Sequence, residues 1–314
     1  MSAPICSIII PSFRAEATIR DCLTALRNQQ IDQPYEIIVV DSSPDEAVVL
    51  AARQFPAVRV IHLPRQTDPA LARNIGAEEA RGRYLAFIDA DCIAAPDWLA
   101  RLLTTLEQGY DAVGGAIANG NGATLVSWAG YLCEFREFLP GDQARDVPNL
   151  TLGNVAYRRA IFEAAGGFPV GAFPQEDQVF HHALRRLGAR IRFDPRTLVA
   201  HTHRTERAAF LEHQRRIGRA NARVLRALDL PGAAIVRRPW LVGLTLPGLV
   251  LLRFVRTLRA CWRVEASLVL RRPALAWLCW LGMCWWGRGL LEGAAVPAER
   301  REEAACQPSS PILS

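Results

Sequence analysis

The 314-residue chain is predicted to be an α/β protein: a Rossmann-like, mainly parallel sheet flanked by helices, followed by a hydrophobic helical appendage at the C-terminus. Three observations predict it. Strand-like and helix-like patterns alternate through the first ninety residues. The strand-like runs are continuously apolar rather than alternating, so both faces of each strand are covered. From residue 231 onward the composition changes to apolar runs punctuated by Arg.

The first element, ICSIIIP, is an apolar run of strand length. No basic segment precedes it and the run is short, so it reads as a first strand and not as a signal peptide. AEATIRDCLTALRNQ follows with helical period, then YEIIVVD as a second strand and DEAVVLAARQF as a second helix. VRVIHL and DPALARNIGAEEA repeat the unit, and YLAFIDADC closes the series. Ligands of such sheets bind beyond the carboxyl ends of the strands, which is where Asp41, Asp89 and Asp91 fall. Further on, DAVGGAIAN reads as a strand, QEDQVFHHALRRLG as a helix with a Gly stop, and ARIRFDP and TLVAHTH as two short strands.

The expected division is a catalytic domain over 1–205, a basic amphipathic helix over 206–230, a membrane-associated helical region over 231–293 and a disordered polar tail over 294–314. WLVGLTLPGLVLL and ALAWLCWLGMCWWG are apolar runs of 13 and 14 residues. Both fall short of the roughly 20 that span a bilayer, so interfacial helices and a spanning hairpin both stay open. Trp277, Trp280, Trp285 and Trp286 read either as an interfacial belt or as part of a buried helix.

All 37 basic residues are Arg, and the net charge is +6. Residues 237–292 hold nine Arg against two Glu, which leaves the rest of the chain near neutral. That distribution suits an anionic membrane surface and argues against a nucleic-acid partner, which calls for basic side chains over the main domain. The eight Cys form no CxxC pair and no zinc-like spacing, as expected of a chain in a reducing cytosol.

Five blocks, SIIIPSFRAEATIRDCLTAL, EIIVVDSSPDEA, ALARNIGAEEARGRYLAFIDADC, GNVAYRRAIFEAAGGF and QEDQVFHHALRRLG, resemble in order and spacing the consecutive blocks of family 2 glycosyltransferases, which have the GT-A fold. The resemblance covers about residues 5–220. It implies an inverting, Mg2+- or Mn2+-dependent transfer of a sugar from a nucleotide-sugar donor, taken to be a UDP-sugar.

Asp89 and Asp91 match the family's DxD element. In an extended segment i and i+2 project on one face, so both carboxylates can reach one cation that bridges to the donor diphosphate; the bland alternative is a solvated turn. The resemblance places Asp41 on the uracil ring, although a turn or N-cap role before Ser42 and Ser43 is also open. Pro11, Phe13 and Glu16 match the nucleotide-facing loop, with Arg14 departing from the usual pattern; Glu16 also suits a helix start. Arg73, in the family's ARN element, pairs with phosphate or pyrimidine, or forms an ordinary ion pair. Gln66 to Pro69 depart from the family's Asn-Gly-rich loop, and Asp68 with Pro69 reads as a helix cap.

Glu176 and Asp177 match the family's ED element, in which Asp177 is the base that takes the acceptor proton; two acids in a first turn also stabilise a helix by themselves. The resemblance has His201 complete the metal shell or meet the diphosphate, with an ordinary pair of His201 and His203 as the other reading. Gln214 and Arg215 resemble an element that steadies the diphosphate, with lipid headgroups as the other reading. Gly115 and Asn154 let the backbone approach donor and acceptor, or serve turns.

The appendage implies a lipid-linked or polysaccharide acceptor, membrane lipids as partners, and the cytoplasmic side of a bacterial inner membrane. Two rival readings stay open. A nucleotidyltransferase calls for Gly in the first loop, and PSFRAEATI has none; a non-catalytic membrane scaffold would keep the fold without the chemistry.

Overall fold

The computed structural model of the chain describes residues 3–228 and 230–296. The expected tail therefore lies outside the described residues from 297 on. Among the described residues, nine strands make one mixed sheet: β1 (Cys6–Ser12), β2 (Tyr35–Asp41), β3 (Val58–His62), β4 (Tyr84–Ile88), β5 (Cys92–Ala94), β6 (Ala112–Asn119), β7 (Arg145–Asp146), β8 (Asn154–Arg158) and β9 (Ile191–His201). Their order is β3-β2-β1-β4-β8-β6-β9-β5, with β7 paired to β9.

The first four strands are parallel, as their sequence predicts. Alternate side chains feed two cores. Ile8, Ile10, Val39, Ala86 and Ile88 enter one, while Ile9, Ile38, Val40, Leu85 and Phe87 enter the other. Each buried Ile or Leu is worth about 1.5–3 kcal/mol against exposure, which is why a one-residue slip of register is not tolerated. β8 then runs antiparallel between β4 and β6, a reversal that no local periodicity in GNVAYRR announces. The two short strands expected over 189–203 are one strand, β9, whose register on β6 jumps from Asp194 to Leu198. Asp194 braces that irregularity by accepting from Arg196 Nη2 (2.7 Å).

The helices are α1 (Ile19–Arg27), α2 (Ala47–Ala52), α3 (Pro69–Glu78), α4 (Trp98–Glu107), α5 (Leu125–Phe135), α6 (Arg159–Ala164), α7 (Glu176–Arg186), α8 (Arg207–Ala227), α9 (Ala233–Val236), α10 (Pro239–Arg271) and α11 (Pro273–Ala295). α3 is capped by Asp68, whose carboxylate accepts from Ala70 N–H, with Pro69 in its first turn. The basic helix foreseen near 206–228 is α8.

The hydrophobic runs near the C-terminus behave differently from each other. α11 is a packed helix: Leu275, Cys279, Met283, Trp286 and Leu290 are buried, and Trp286 Nε1 donates to Asn221 Oδ1 of α8 (2.8 Å). Its backbone touches α8 so closely that a Cβ at Gly218 or Gly289 would run into the facing carbonyl. The Trp cluster is thereby divided, since Trp277 is exposed while Trp286 is not. α10 merges the 13-residue apolar run with the Arg-punctuated segment into one helix of 33 residues, with Pro247 inside it. The short run of the sequence reading thus becomes a 25-residue stretch, Pro239–Arg263, long and apolar enough to cross a membrane, and only 17% of its apolar window is buried.

Candidate active site

β4 ends at Ile88, and Asp89-Ala90-Asp91 form the tight turn into β5, closed by Cys92 N–H donating to Asp89 O (3.0 Å). The extended geometry expected of this segment is therefore a turn, because β5 must leave β4 to pair with β9. The two carboxylates are held by different partners. Asp89 Oδ1 accepts from Arg73 Nη2 (2.6 Å), and Arg73 Nη1 donates to Glu176 Oε1 (3.1 Å). Arg73 is 5% exposed, so one guanidinium from α3 ties the β4 tip to the start of α7. Gly153 leaves room beside the other Asp89 oxygen, since a Cβ there would lie 2.9 Å from Oδ2.

Asp91 is placed by the antiparallel pairing of β5 with β9, which sets Cys92 opposite His201. Thr202 N–H donates to Asp91 O (2.9 Å), and Asp91 Oδ1 lies 3.5 Å from His201 Nε2. Burial raises the Asp91 carboxyl above its usual range, with His201 pulling the other way. Ligand atoms of Asp91, Cys92 and His201 lie within 4.8 Å of one another. Cys92 is fully buried, which lifts its thiol well above its ordinary range, and a soft sulfur ligand suits neither Mg2+ nor Mn2+. Asp91 and His201 are the pair that fits a divalent cation, and His201 Nδ1 is buried without a partner. Of the expected set of Asp89, Asp91 and His201, Asp89 stands outside this cluster because Arg73 engages it. His203 stacks beside His201 with ring centroids 4.5 Å apart, and burial pushes it down to about 3, so it is neutral.

At α7, burial lifts Glu176 to about 7 despite Arg73. Asp177 is half-buried and accepts from Asn149 Nδ2 (3.1 Å); burial raises its carboxyl, and the Asn149 bond opposes that. Burial pushes His181 down to about 4, so its ring is neutral: Nδ1–H donates to Asp177 O (2.7 Å) and Nε2 accepts from the Tyr157 hydroxyl (3.0 Å). That pair fixes the first turn of α7. Asp177 opens on a cavity of about 520 Å³ that Asn149, Gln175, His213 and Asn221 also line, together with four arginines.

At the same carboxyl end of the parallel strands, Pro11 is the last residue but one of β1, and Phe13 (39% exposed) and Glu16 beyond it stand in solvent. Arg14 takes a left-handed conformation (φ 51°), which lets its N–H donate to Ser43 Oγ (2.8 Å). Asp41 is fully buried; Oδ1 accepts from Ser43 Oγ (2.7 Å), and Oδ2 is paired with His62 Nδ1 (3.0 Å). His62 carried no signal in the sequence, because its contact with Asp41 crosses from β3 to β2, whereas the Asp41–Ser43 bond is the local turn that the sequence left open.

Four residues expected to contact donor or acceptor make contacts within the fold. Asn154 spends its side chain inside the fold: Trp98 Nε1 donates to Oδ1 (2.8 Å), and Nδ2 donates to Ala116 O (2.9 Å) and Thr197 O (3.0 Å). Gly115 is buried in β6 against Thr197, at the β9 irregularity. Gln214 is fully buried and donates weakly to Glu134 (3.4 Å). Arg215 is shared between Glu212 (2.9 Å) and Glu292 (3.1 Å), which staples α8 to α11. Asn149 was missed, since nothing in VPNL marks it.

The model of the family described as "Glycosyl transferase family 2" matches residues 7–166. Glycosyltransferase AglE of Haloferax volcanii is 29% identical over 177 residues, which are 53% of this chain and 56% of that protein. Succinoglycan biosynthesis protein ExoO of Rhizobium meliloti is 33% identical over 156 residues, 49% of this chain and 42% of that protein. The chain thus spans about half the length of these curated relatives. Among solved structures, the mannosyltransferase PcManGT from Pyrobaculum calidifontis, in complex with GDP-Man and Mn2+, superposes with a TM-score of 0.60 at 20% identity, covering 93% of this chain and 88% of that one. At that identity the likeness shows the fold.

Proposed function

The chain belongs to glycosyl transferase family 2, and from that premise we propose that it is an inverting, metal-dependent transferase. Its donor is a nucleotide sugar, taken to be a UDP-sugar, and its acceptor is lipid-linked or a polysaccharide at the cytoplasmic face of a bacterial inner membrane. The observation that carries this reading is the Arg73 bridge. It brings Asp89 and Glu176 together and leaves the next acid of each pair, Asp91 and Asp177, facing its own space.

In this reading Asp177 takes the proton of the acceptor hydroxyl as that oxygen forms its bond to the anomeric carbon. The bond from that carbon to the donor phosphate oxygen breaks, its electron pair leaves with the nucleoside diphosphate, and attack from the opposite face inverts the centre. A raised pKa makes Asp177 a stronger base, and Asn149 keeps its carboxylate oriented. A divalent cation, when bound, supplies positive charge against the departing diphosphate; Asp91 and His201 would hold it, and the imidazole favours Mn2+ over all-oxygen Mg2+. Pro11, Phe13, Glu16, Asp41, Arg73 and Asp89 form the donor side, Asp41 acting at one remove by holding Ser43 and Arg14.

The exposed apolar face of α10 supports membrane attachment. The test is hydrolysis and transfer from a panel of nucleotide sugars by the purified full chain, with Mn2+ or with EDTA. Turnover that needs the metal and vanishes in Asp177→Asn is expected. Turnover that survives both changes would overturn the proposal.

A further inference from the structure

The cavity below Asp177 carries a second chemistry that proton removal does not use. Three of its arginines, Arg136 at the end of α5 and Arg253 and Arg256 of α10, line it together. Besides Asp177, two carboxylates line it: Glu134, set against His213 Nε2 (3.4 Å), and, beside the arginines, Glu137. It accepts from Arg256 Nη2 (2.7 Å), and its Oε1 lies 3.4 Å from Arg136 Nε but out of line for a hydrogen bond. Arg136, whose side chain is 10% exposed, otherwise donates through Nη1 to Cys133 O (2.8 Å). Burial holds it below the usual guanidinium range, against the pull of Glu137. Arg253 is half-buried over the ring of Trp286 (4.2 Å) and has no carboxylate paired to it among the described residues; its Nε is buried without a hydrogen-bond partner. A buried guanidinium with unused donors is costly unless an anion meets it.

Arg253 and Arg256 sit on the helix that exposes Leu251 (53%), Leu252 (56%) and Val255 (40%). One helix thus presents cationic forks to the cavity and apolar side chains to its surroundings. Planar guanidiniums bind phosphate oxygens in a bidentate way. We propose that this cavity receives an acceptor whose sugar is joined to a lipid through a phosphate or diphosphate, with the phosphate on Arg136 and Arg253 and the hydrocarbon along α10. This deepens, and rests on, the transferase reading, because it makes the acceptor's anionic linker the feature selected.

The test uses the full chain in neutral detergent micelles with EDTA, and calorimetric binding of three probes: farnesyl diphosphate, farnesol and inorganic pyrophosphate. Farnesyl diphosphate is expected to bind at least about tenfold more tightly than either of the others. Arg253→Gln and Arg136→Gln are each expected to lose about tenfold or more of that affinity, and Arg256→Gln, at an exposed position, serves should either buried change unfold the chain. Arg259→Gln, exposed on the same helix and outside the cavity, is expected to bind as the unmodified chain does. Farnesol binding as tightly as farnesyl diphosphate, or undiminished binding in Arg253→Gln, would overturn the proposal. Pyrophosphate matching farnesyl diphosphate would make this a site for a soluble anion and overturn the lipid part. Metal-dependent donor hydrolysis in the same preparations separates the two claims: its absence beside selective farnesyl diphosphate binding sinks the transferase reading alone, and its presence without selective binding sinks this one alone.

Discussion

The β4 tip and the start of α7 each carry two acids close together in sequence, and the structure treats the two pairs alike in one respect and differently in another. In each pair one acid, Asp89 or Glu176, is engaged by Arg73. Beyond that they diverge. Asp91 faces an imidazole and a buried thiol, a setting for a cation, whereas Asp177 faces an amide and an open cavity, a setting for a proton. Identical side chains meet different surroundings because their neighbours differ, and the neighbours come from β9 in one case and from the loop before β8 in the other.

Breaking the shared bridge should have the largest effect. Arg73→Gln leaves Glu176 and Asp89 without their cation, which costs about 3–5 kcal/mol when one partner of a buried ion pair is removed. Denaturant unfolding would measure it, and adding Glu176→Gln should restore a good part; no loss of stability would mean the bridge is not what joins the two pairs. Asp177→Asn should lower kcat about a thousandfold, within the range of a lost general base, while the melting temperature holds or rises because a buried charge is gone. Asp91→Asn should weaken Mn2+ about a hundredfold or more, because removing even a supporting partner of a metal ligand costs about 10–100-fold and Asp91 is placed as a ligand itself. Titration of Mn2+ against UDP-induced thermal stabilisation reads it, and an unchanged titration would remove Asp91 from the metal site.

The smallest effect concerns pH, because two shifts at α7 oppose each other. His181 is pushed down to about 4 from 6.5, so its contribution is complete above pH 6.5 and is lost as pH falls toward 4. Glu176 is raised to about 7 from 4.5, so its contribution is complete below pH 4.5 and is lost as pH rises through 7. Each amounts to at most about 3 kcal/mol, and they largely cancel between pH 4.5 and 6.5. In melting curves Glu176→Gln should therefore steepen the loss of stability on acidification, and His181→Gln should flatten it.

Much of the donor half was legible in the sequence. Ile8 to Ile10, Ile37 to Val40 and Leu85 to Ile88 are continuous apolar runs because helices cover both faces of the sheet, and that pattern alone calls for parallel strands with acids at their carboxyl ends. Asp68 and Pro69 likewise announced the start of α3 through local capping chemistry. The acceptor half was much less legible. Asn154 looked available from its place after Gly153, yet three hydrogen bonds to α4, β6 and β9 occupy it. Arg215 looked like a phosphate ligand, yet Glu292, far along the chain, claims it. The arginines of α10 looked like a lipid-facing stripe, yet Arg253 turns onto Trp286 and into the cavity.

By itself, then, the sequence determined the alternation of elements, the half of the sheet built from consecutive parallel strands, and the order of the acidic blocks, because these follow from side-chain period and chain neighbours. Only the tertiary structure decided that β8 runs antiparallel, that Asp89 and Asp91 part company in a turn, that α11 packs on α8 while much of the apolar run of α10 stays exposed, and that arginines from α5 and α10 share one cavity with Asp177. Those outcomes depend on contacts between residues far apart in the chain, where packing and charge compensation choose the partner and local pattern carries no record of it.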